Sequence, residues 1–241
     1  MKAMIFAAGL GTRLKNETAD KPKALVKIGD KTLLQLAIEK LRKEGFSEIV
    51  VNVHHFSELI ISFLKNHDFG LSVHISDETE RLLDTGGGLK KAALLLKGEE
   101  PVLIYNVDIL SSINLQEVVE NHQKSGALVT LVVRKRETQR YLKFDTDKQL
   151  VGWINKKTGE TKVSVPENFD MATEMAFSGI HLVQPGIFDL MPSEERFSII
   201  DLYLELAKNH LIKGYFDYSD LWMDMGKPEQ LEKARRLMNL A

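Results

Sequence analysis

The fold class of this chain is decided by its opening stretch, residues 1–28, which reads MKAMIFAAGLGTRLKNETADKPKALVKI. An apolar run at residues 3–8 ends in the turn GLG at residues 9–11, and Arg13 and Lys23 follow. A short apolar run closed by glycines is typical of a buried strand that feeds a loop. Glycine tolerates positive φ angles and lets a ligand approach the main chain closely. Because free backbone N–H groups and two fixed cations suit a polyphosphate, we expect a phosphate-binding loop here.

Two common phosphate-binding templates do not fit this loop. The dinucleotide pattern G-x-G-x-x-G requires a third glycine where this chain has Leu14, and an acid where the second strand runs into His54 and His55. The Walker pattern requires Gly-Lys-Ser/Thr after the glycines, which the sequence does not have. The glycines alone leave a tight turn with solvated cations as an alternative, and Arg13 and Lys23 favour the phosphate-binding interpretation.

The composition excludes several classes of protein. The 241 residues, of which 44% are hydrophobic and 27% charged, are typical of an ordinary globular protein with one large domain or two small ones. A net charge of −2 provides no positive field for nucleic acid. The first apolar run is far shorter than the roughly 20 residues of a membrane span. Since the chain has no cysteine, it has neither disulfides nor thiolate metal sites. We expect a cytoplasmic protein that binds no nucleic acid and no membrane.

Apolar periodicity predicts an α/β fold with a mostly parallel sheet and inserted antiparallel strands. We predict strands at residues 3–8, 49–53, 71–75, 102–105, 128–133, 142–144, 150–154, 174–183 and 212–216. We predict helices at residues 32–44, 57–66, 89–96, 115–124, 187–191, 199–208 and 229–240. Strands alternate with helices in the first half, which indicates parallel strands with right-handed crossovers. In such sheets ligands lie beyond the carboxyl ends of the strands, where the opening loop lies.

Three further segments carry residue types that suit nucleotide and metal chemistry. LLDTGGGL at residues 82–89 exposes backbone groups at a predicted helix start, where a flat base could lie, although a flexible loop capped by Thr85 explains it too. Asp108 follows the predicted strand at residues 102–105, and Asp224 lies in WMDMGKPE at residues 222–229. Taken alone, Asp108 is better explained as a cap of a turn, and Asp224 is explained equally well in that way. Together they suit Mg²⁺, which prefers one or two carboxylates plus phosphate oxygens and water.

The motifs GLGTRL at residues 9–14 and KPKALV at residues 21–26 resemble the signature of the sugar-1-phosphate nucleotidylyltransferases. These enzymes join an NTP to a sugar 1-phosphate and release pyrophosphate. The resemblance extends to residue 229. It implies a Rossmann-like nucleotide-diphospho-sugar transferase fold in a single domain, residues 1–241. Its nucleotide-binding half would be residues 1–112, and its sugar-binding half residues 113–241.

The resemblance also implies roles for individual residues. The nucleotide would be bound, and its base read, by Leu10, Gly11, Thr12, Arg13, Lys23, Thr85, Gly86 and Gly87. The catalytic cations would be Arg13 and Lys23, and the Mg²⁺ ligands would be Asp108 and Asp224. The sugar pocket would contain Asn106 and Gly179, with Asn155 and Glu174 as candidates for binding sugar hydroxyls. The histidines form no cluster with metal-ligand spacing, so we interpret them as structural or solvated.

The substrates are less well determined than the class. The form L-x-T-G-G-G most resembles the subgroup with N-acetylmuramate-1-phosphate uridylyltransferase, so we expect UTP and that sugar phosphate. GTP with mannose or heptose 1-phosphate, or CTP with another phosphorylated alcohol, stays open, as does a non-catalytic nucleotide-sugar sensor. Asp84 stands where the resemblance predicts glutamate, which leaves the base open. Val107 replaces an expected glycine and could narrow the site. Both a monomer and a homodimer are compatible with the sequence.

Overall fold

The computed structural model describes residues 1–239, apart from the side chains at positions 15, 16, 238 and 239. Its strands are β1 Lys2–Phe6, β2 Lys27–Ile28, β3 Lys31–Thr32, β4 Glu48–Val53, β5 Ser72–Asp77, β6 Val102–Asn106, β7 Ile109–Ser111, β8 Val129–Arg134, β9 Arg140–Phe144, β10 Leu150–Asn155, β11 Thr161–Val163, β12 Thr173–Val183, β13 Ile212–Phe216 and β14 Trp222–Asp224. Its α-helices are α1 Leu33–Lys43, α2 Ser57–Lys65, α3 Asp84–Lys91, α4 Ala93–Leu96, α5 Leu115–Ser125, α6 Pro166–Phe169, α7 Ile199–Leu206 and α8 Pro228–Asn239. Three 3₁₀ helices lie at Thr12–Thr18, Lys23–Leu25 and Pro185–Leu190.

One ten-stranded sheet organises the described chain, and it confirms the predicted α/β class. Its order is β11-β10-β9-β12-β6-β1-β4-β5, with β8 beside β12 and β13 beside β8. The central strands β6, β1, β4 and β5 are parallel, as their alternation with helices predicts. The strand β12 is antiparallel to β6, β8 and β9, so the second half of the chain supplies the inserted antiparallel strands.

The core lies on both faces of this sheet. Ala3 and Ile5 of β1 belong to one hydrophobic cluster, and Met4 between them belongs to the other. All three side chains are fully buried. A strand covered on both faces has no polar side, which is why the first apolar run is continuous rather than alternating.

Several predicted boundaries are wrong, each for a local reason. The helix predicted at residues 89–96 begins earlier, at Asp84, so the three glycines lie inside its first turns rather than ahead of it. The helix predicted at residues 187–191 is a 3₁₀ helix that starts at Pro185, whose fixed φ suits a first helical position. The terminal helix spans Pro228–Asn239, and its predicted end at residue 240 lies outside the described residues. No helix in the described part of the chain combines the length and apolarity that crossing a bilayer requires.

A small two-stranded ribbon brings the end of the chain to the edge of the main sheet. The strand β14 pairs with β7 in antiparallel register, with Asp224 opposite Ile109. The backbone N–H of Met225 donates to the carbonyl oxygen of Asp108 at 2.8 Å. Because Asp108 lies two residues beyond the carboxyl end of β6, this ribbon places two distant aspartates side by side.

Candidate active site

A cavity of about 440 Å³ opens at the carboxyl ends of the parallel strands, where the fold class predicts a ligand. Its lining residues are Phe6, Ala8, Gly9, Arg13, Lys23, Asn52, Glu78, Leu82, Asp84, Thr85, Asn106, Asp108 and Arg196. Five predicted site residues are among them, namely Arg13, Lys23, Thr85, Asn106 and Asp108. We refer to the residues that line this cavity as the donor side.

Two cations and two carboxylates from distant parts of the sequence meet at one end of this cavity. The Lys23 Nζ atom lies 2.6 Å from the Asp108 Oδ2 atom, and the Arg13 Nη1 atom lies 3.7 Å from the Asp224 Oδ2 atom. A Cβ on Gly226 would lie 2.9 Å from an oxygen of each aspartate and 2.7 Å from the Arg13 Nη2 atom. Arg13, Asp108 and Asp224 therefore surround a single glycine, and any side chain at that position would displace them. Lys23 joins this cluster through its ion pair with Asp108.

The opening loop reaches this cluster because Gly11 adopts a left-handed backbone conformation, with φ of +67°. A Cβ there would lie 3.0 Å from the Cβ of Lys23, so the glycine lets the loop pack closely against the lysine. The Thr18 hydroxyl donates to the Gly11 carbonyl oxygen at 3.1 Å and closes the 3₁₀ turn between them. Leu10 is 45% exposed and, like Gly11 and Thr12, does not line the cavity.

A buried polar pair that the sequence analysis did not identify ties the loop to the next strand. The Asn52 Oδ1 atom accepts from the backbone N–H groups of Ala7 and Ala8 at 2.7 and 3.3 Å. The Asn52 Nδ2 atom donates to the Glu78 Oε1 atom at 2.7 Å, and burial raises the pKa of Glu78. The one indication in the sequence was a polar Asn52 within the apolar run IVVNV at residues 49–53.

Two glycines of the segment LLDTGGGL, Gly86 and Gly87, face a neighbouring segment rather than the cavity. A Cβ on Gly86 would lie 2.3 Å from the ring of Phe197, and a Cβ on Gly87 would lie 2.0 Å from the carbonyl oxygen of Glu195. The backbone N–H of Gly86 also donates to the Phe197 carbonyl oxygen at 2.9 Å. These glycines thus allow residues 192–198 to pack on α3, and that segment carries Arg196 to the cavity.

The two residues before these glycines do face the cavity. Asp84 has a φ of +62°, a region in which aspartate is more common than glutamate. Its Oδ1 atom accepts from the Thr85 backbone N–H at 2.6 Å, which a side chain longer by one methylene group would not match. The Thr85 hydroxyl accepts from the Ile199 backbone N–H at 3.0 Å. This geometry accounts for an aspartate where the family resemblance predicted glutamate.

A smaller cavity of about 130 Å³ adjoins the cluster on its other side. Its lining residues are Arg13, Asn106, Asp108, Ile109, Arg136, Phe177, Ser178, Gly179, Trp222 and Asp224. Gly179 has a φ of +77°, and a Cβ there would lie 2.9 Å from Ile109 and 3.0 Å from the Asn106 Nδ2 atom. The pairing of β12 with β8 shifts register between Phe177 and His181, so Gly179 sits in a β-bulge that turns the strand toward the cavity.

The remaining predicted sugar-pocket residues lie farther out. Asn155 lines a third cavity, of about 440 Å³, which shares Arg136 and Phe177 with the small one. We refer to the residues that line these two cavities, other than Arg13, Asn106, Asp108 and Asp224, as the acceptor side. Glu174 lines neither of them, and its Oε1 atom lies 2.7 Å from the Lys156 Nζ atom in an ion pair. The structure therefore brings Asn106 and Gly179 to the aspartates, and not Glu174.

The Val107 side chain does not narrow the site, contrary to what its position suggested. It is 2% exposed and packs in the hydrophobic cluster that contains Ala3 and Ile5. Its backbone N–H donates to the Phe6 carbonyl oxygen at 3.2 Å, so the main chain stays in register with β1.

The two aspartates fit a hard cation that arrives with phosphates. Within residues 1–239 no three His, Cys, Asp or Glu side chains lie close enough to hold a metal ion by themselves. Mg²⁺ is commonly held by one or two carboxylates, with phosphate oxygens and water completing its coordination. Asp108 and Asp224 supply two carboxylate oxygens that face one another across Gly226.

This chain is similar in sequence to known proteins. The sequence profile of the family described as nucleotidyl transferase matches residues 2–239. The N-acetylmuramate alpha-1-phosphate uridylyltransferase of Caulobacter vibrioides is 34% identical over 238 residues, which cover 94% of this chain and 92% of that protein. The mannose-1-phosphate guanyltransferase of Yarrowia lipolytica is 30% identical over 235 residues, which cover 95% of this chain and 61% of that protein. This chain therefore spans about three-fifths of the length of the guanyltransferase.

A solved structure supports the predicted fold. HddC from Yersinia pseudotuberculosis, in a crystal structure with GMP-PN, superposes on this chain with a TM-score of 0.78 at 23% identity. The superposition covers 98% of this chain and 99% of HddC. A likeness over the whole chain confirms the nucleotide-diphospho-sugar transferase fold.

Proposed function

This chain belongs to the nucleotidyl transferase family, and from that premise we propose that it is a Mg²⁺-dependent sugar-1-phosphate nucleotidylyltransferase. The observation that carries the proposal is the cluster of Arg13, Asp108 and Asp224 around Gly226, which Lys23 joins through its ion pair with Asp108. Two cations and two carboxylates at the carboxyl ends of parallel strands suit a site where two phosphate groups and a divalent cation come together.

The proposed reaction needs no proton transfer. An oxygen of the sugar 1-phosphate attacks the α-phosphorus of the NTP, and one new P–O bond forms. The bond between the α-phosphorus and the bridging oxygen breaks, and pyrophosphate leaves with the electron pair. Since the attacking oxygen is already anionic, the protein has to position the reactants and neutralise charge rather than supply a general base.

Each charged residue has a part in that task. Lys23 stabilises the charge that grows at the α-phosphate, and Arg13 holds the leaving pyrophosphate. Asp108 and Asp224 hold Mg²⁺, which when bound reduces the repulsion between the two phosphate groups. The ion pair of Lys23 with Asp108, at 2.6 Å, holds the lysine in place before a nucleotide arrives, and Arg13 lies 3.7 Å from Asp224.

We infer that the substrates are UTP and N-acetylmuramate 1-phosphate, in a cytoplasmic enzyme. The relative from Caulobacter vibrioides supports this choice, because this chain spans 92% of its length at 34% identity. GTP with mannose 1-phosphate is the second candidate, supported by the guanyltransferase from Yarrowia lipolytica at 30% identity. A non-catalytic sensor is less favoured, because such a protein has no need to keep both carboxylates and both cations at one point.

A substrate panel tests the proposal. The purified chain is incubated with Mg²⁺, one NTP at a time and one sugar 1-phosphate at a time, and pyrophosphate release is measured with mass identification of the product. We expect UDP-N-acetylmuramate as the main product. A guanosine product would contradict the choice of base, and a chain that binds nucleotide without releasing pyrophosphate from any pair would be a sensor.

A further inference from the structure

Arg136 stands where the two cavities of the acceptor side meet. Its side chain lines both the 130 Å³ cavity beside Asp108 and Asp224 and the 440 Å³ cavity that contains Asn155. Arg136 follows β8 by two residues, and it lines the small cavity together with Asp108 and Asp224.

The guanidinium group of Arg136 is held in a fixed plane. Its Cζ atom lies 4.4 Å from the centroid of the Trp222 ring, a cation–π arrangement. The Trp222 ring is itself fixed, because its Nε1–H donates to the Ser178 carbonyl oxygen at 3.0 Å. The Arg136 Nη2 atom donates to the Phe177 carbonyl oxygen at 2.9 Å. A guanidinium fixed in this way needs little further ordering to bind a planar pair of oxygens.

Most of its hydrogen-bonding capacity is unused by the described residues. The Nη1 atom has one long contact, 3.5 Å, to the Glu137 carbonyl oxygen, and the buried Nε atom has no partner among residues 1–239. Both of its main-chain partners are neutral carbonyl groups. Burial also lowers the pKa of Arg136, since the charge has been removed from water.

Arg134, Arg13 and Lys23 differ from Arg136 in this respect, because each has a carboxylate partner. Arg134, two residues earlier, lies 3.1 Å from the Asp217 Oδ2 atom and also donates to the Ser219 carbonyl oxygen. On the donor side, Lys23 and Arg13 each form an ion pair with an aspartate. A half-buried guanidinium that bonds to carbonyl groups alone has charge available for an anionic ligand.

We propose that Arg136 binds the phosphate group of the acceptor sugar 1-phosphate, an inference that rests on the proposed function. The attacking phosphate has to reach the α-phosphorus beside Asp108 and Asp224, and Arg136 lines the small cavity with both aspartates. Arg13 and Lys23 are engaged by the triphosphate, so a second phosphate group needs a counter-charge of its own. The planar, forked donor set of arginine matches two phosphate oxygens.

This assignment fixes the direction of the sugar. With its phosphate at Arg136, the sugar ring extends into the larger cavity of the acceptor side, past Phe177 and toward Trp153 and Asn155. That cavity offers apolar ring surfaces together with an amide, which are the groups that bind sugar rings and hydroxyls.

The test compares Arg136→Gln, Arg136→Lys and the control Lys135→Gln, which removes a charge from the exposed neighbouring residue. Binding of N-acetylmuramate 1-phosphate is measured by calorimetry in the presence of Mg²⁺ and a non-hydrolysable UTP analogue. Loss of a charge-assisted pair predicts binding weaker by about tenfold to a hundredfold in Arg136→Gln, with a smaller loss in Arg136→Lys. In turnover, the KM for the sugar phosphate rises while the KM for UTP stays within about twofold of wild type.

Two results would overturn the assignment of Arg136. One is a variant Arg136→Gln that binds the sugar phosphate as tightly as Lys135→Gln does. The other is a variant that loses the UTP analogue and the sugar phosphate equally, since Arg136 would then act on the donor side or on the fold. A wild-type chain that releases no pyrophosphate with any substrate pair contradicts the proposed function itself, which separates the two failures.

Discussion

The donor side and the acceptor side of the site neutralise their charges in different ways. On the donor side, Lys23 pairs with Asp108 and Arg13 with Asp224, and Asn52 binds the loop that carries Gly9. On the acceptor side, Arg136 is held by an aromatic ring and by carbonyl groups rather than by a carboxylate.

This difference indicates which side is ordered in advance of binding. Lys23 on the donor side keeps its position through a contact within the protein, so it is in place for a transition state. The acceptor side gains its charge partner from the ligand, so its contribution falls mainly on binding. Substitutions on the donor side should therefore lower kcat, and substitutions on the acceptor side should raise KM.

The largest effect is expected from Asp108→Asn. The change removes a carboxylate charge from the proposed Mg²⁺ position and takes the ion-pair partner from Lys23. We expect pyrophosphate release to fall by about a thousandfold, the upper range for loss of one electrostatic group at a reacting centre. Pyrophosphate release is measured at several Mg²⁺ concentrations, and circular dichroism checks that the protein is folded.

The control for this change is Asp147→Asn, which alters the same functional group in the exposed turn between β9 and β10. It should leave turnover unchanged. Near-normal turnover in Asp108→Asn would show that Asp108 does not bind the metal. It would also contradict the proposed difference between the donor side and the acceptor side.

A substitution at Lys23 is expected to affect kcat rather than the KM for the sugar phosphate. Lys23→Met should lower kcat by about a hundredfold, because the charge that develops at the α-phosphate loses a fixed cation. The KM for the sugar phosphate should change little, in contrast to its rise in Arg136→Gln. Steady-state kinetics with each substrate varied in turn measure both constants.

Lys21→Met is the matched control, since Lys21 lies two residues away and points toward Asp20, at 3.7 Å, rather than into the cavity. If Lys23→Met raised the KM for the sugar phosphate and left kcat intact, the lysine would belong to the acceptor side.

The sequence predicted the donor side better than the acceptor side, because the donor side is built from local motifs. The strand before Gly9 and the strand before Asp108 both point their carboxyl ends at one edge of the sheet, so adjacency followed from the fold class. Arg136 and Glu174 carry no comparable pattern. Their positions depend on the antiparallel register of β12 with β8 and β9 and on a bulge, which no local pattern fixes.

The segment LLDTGGGL at residues 82–89 also shows that a local pattern does not predict contacts with residues distant in the sequence. Its pattern predicted a helix, but the helix begins at Asp84 rather than after the glycines, and Thr85 lines the 440 Å³ cavity of the donor side. It could not show that Gly86 and Gly87 face residues 195–197, because those residues are more than a hundred positions away. Nor could a sequence pattern show that Asn52 and Glu78 join across neighbouring strands.

A change at Gly87 tests the contact between these two segments. In Gly87→Ala the new Cβ would lie 2.0 Å from the Glu195 carbonyl oxygen, so the backbone of one segment has to move. We expect the free energy of unfolding to fall by about 2–3 kcal/mol, as for other overpacked sites. Urea unfolding measures the change. Gly98→Ala is the control, because a Cβ there meets nothing within 4 Å. Equal stability of the two variants would contradict this packing.

The smallest effect is expected from a buried histidine that contacts one lining residue of each side. His181 on β12 is fully buried, with its ring 6.3 Å from Phe6 and 5.6 Å from Phe177, measured between ring centroids. Burial lowers its pKa from 6.5 to about 3. Below pH 6.5 the unfolded chain therefore takes up a proton at this residue that the folded chain does not. The contribution of His181 to the free energy of unfolding is greatest above that pH and falls as the pH decreases. At pH 5 His181 alone lowers the free energy of unfolding by about 2 kcal/mol relative to neutral pH.

The variant His181→Phe removes this titration while keeping an aromatic ring in the same apolar setting. Between pH 7.5 and pH 5 its free energy of unfolding should fall by about 2 kcal/mol less than that of the wild type. His122, whose pKa burial lowers to about 4, keeps a similar loss in both proteins, so part of the pH dependence persists. The control His55→Phe changes an exposed histidine and should follow the wild type. If His181→Phe lost as much stability as the wild type between pH 7.5 and pH 5, the buried His181 would accept a proton in the folded protein. The loss of stability at acid pH would then come from other groups.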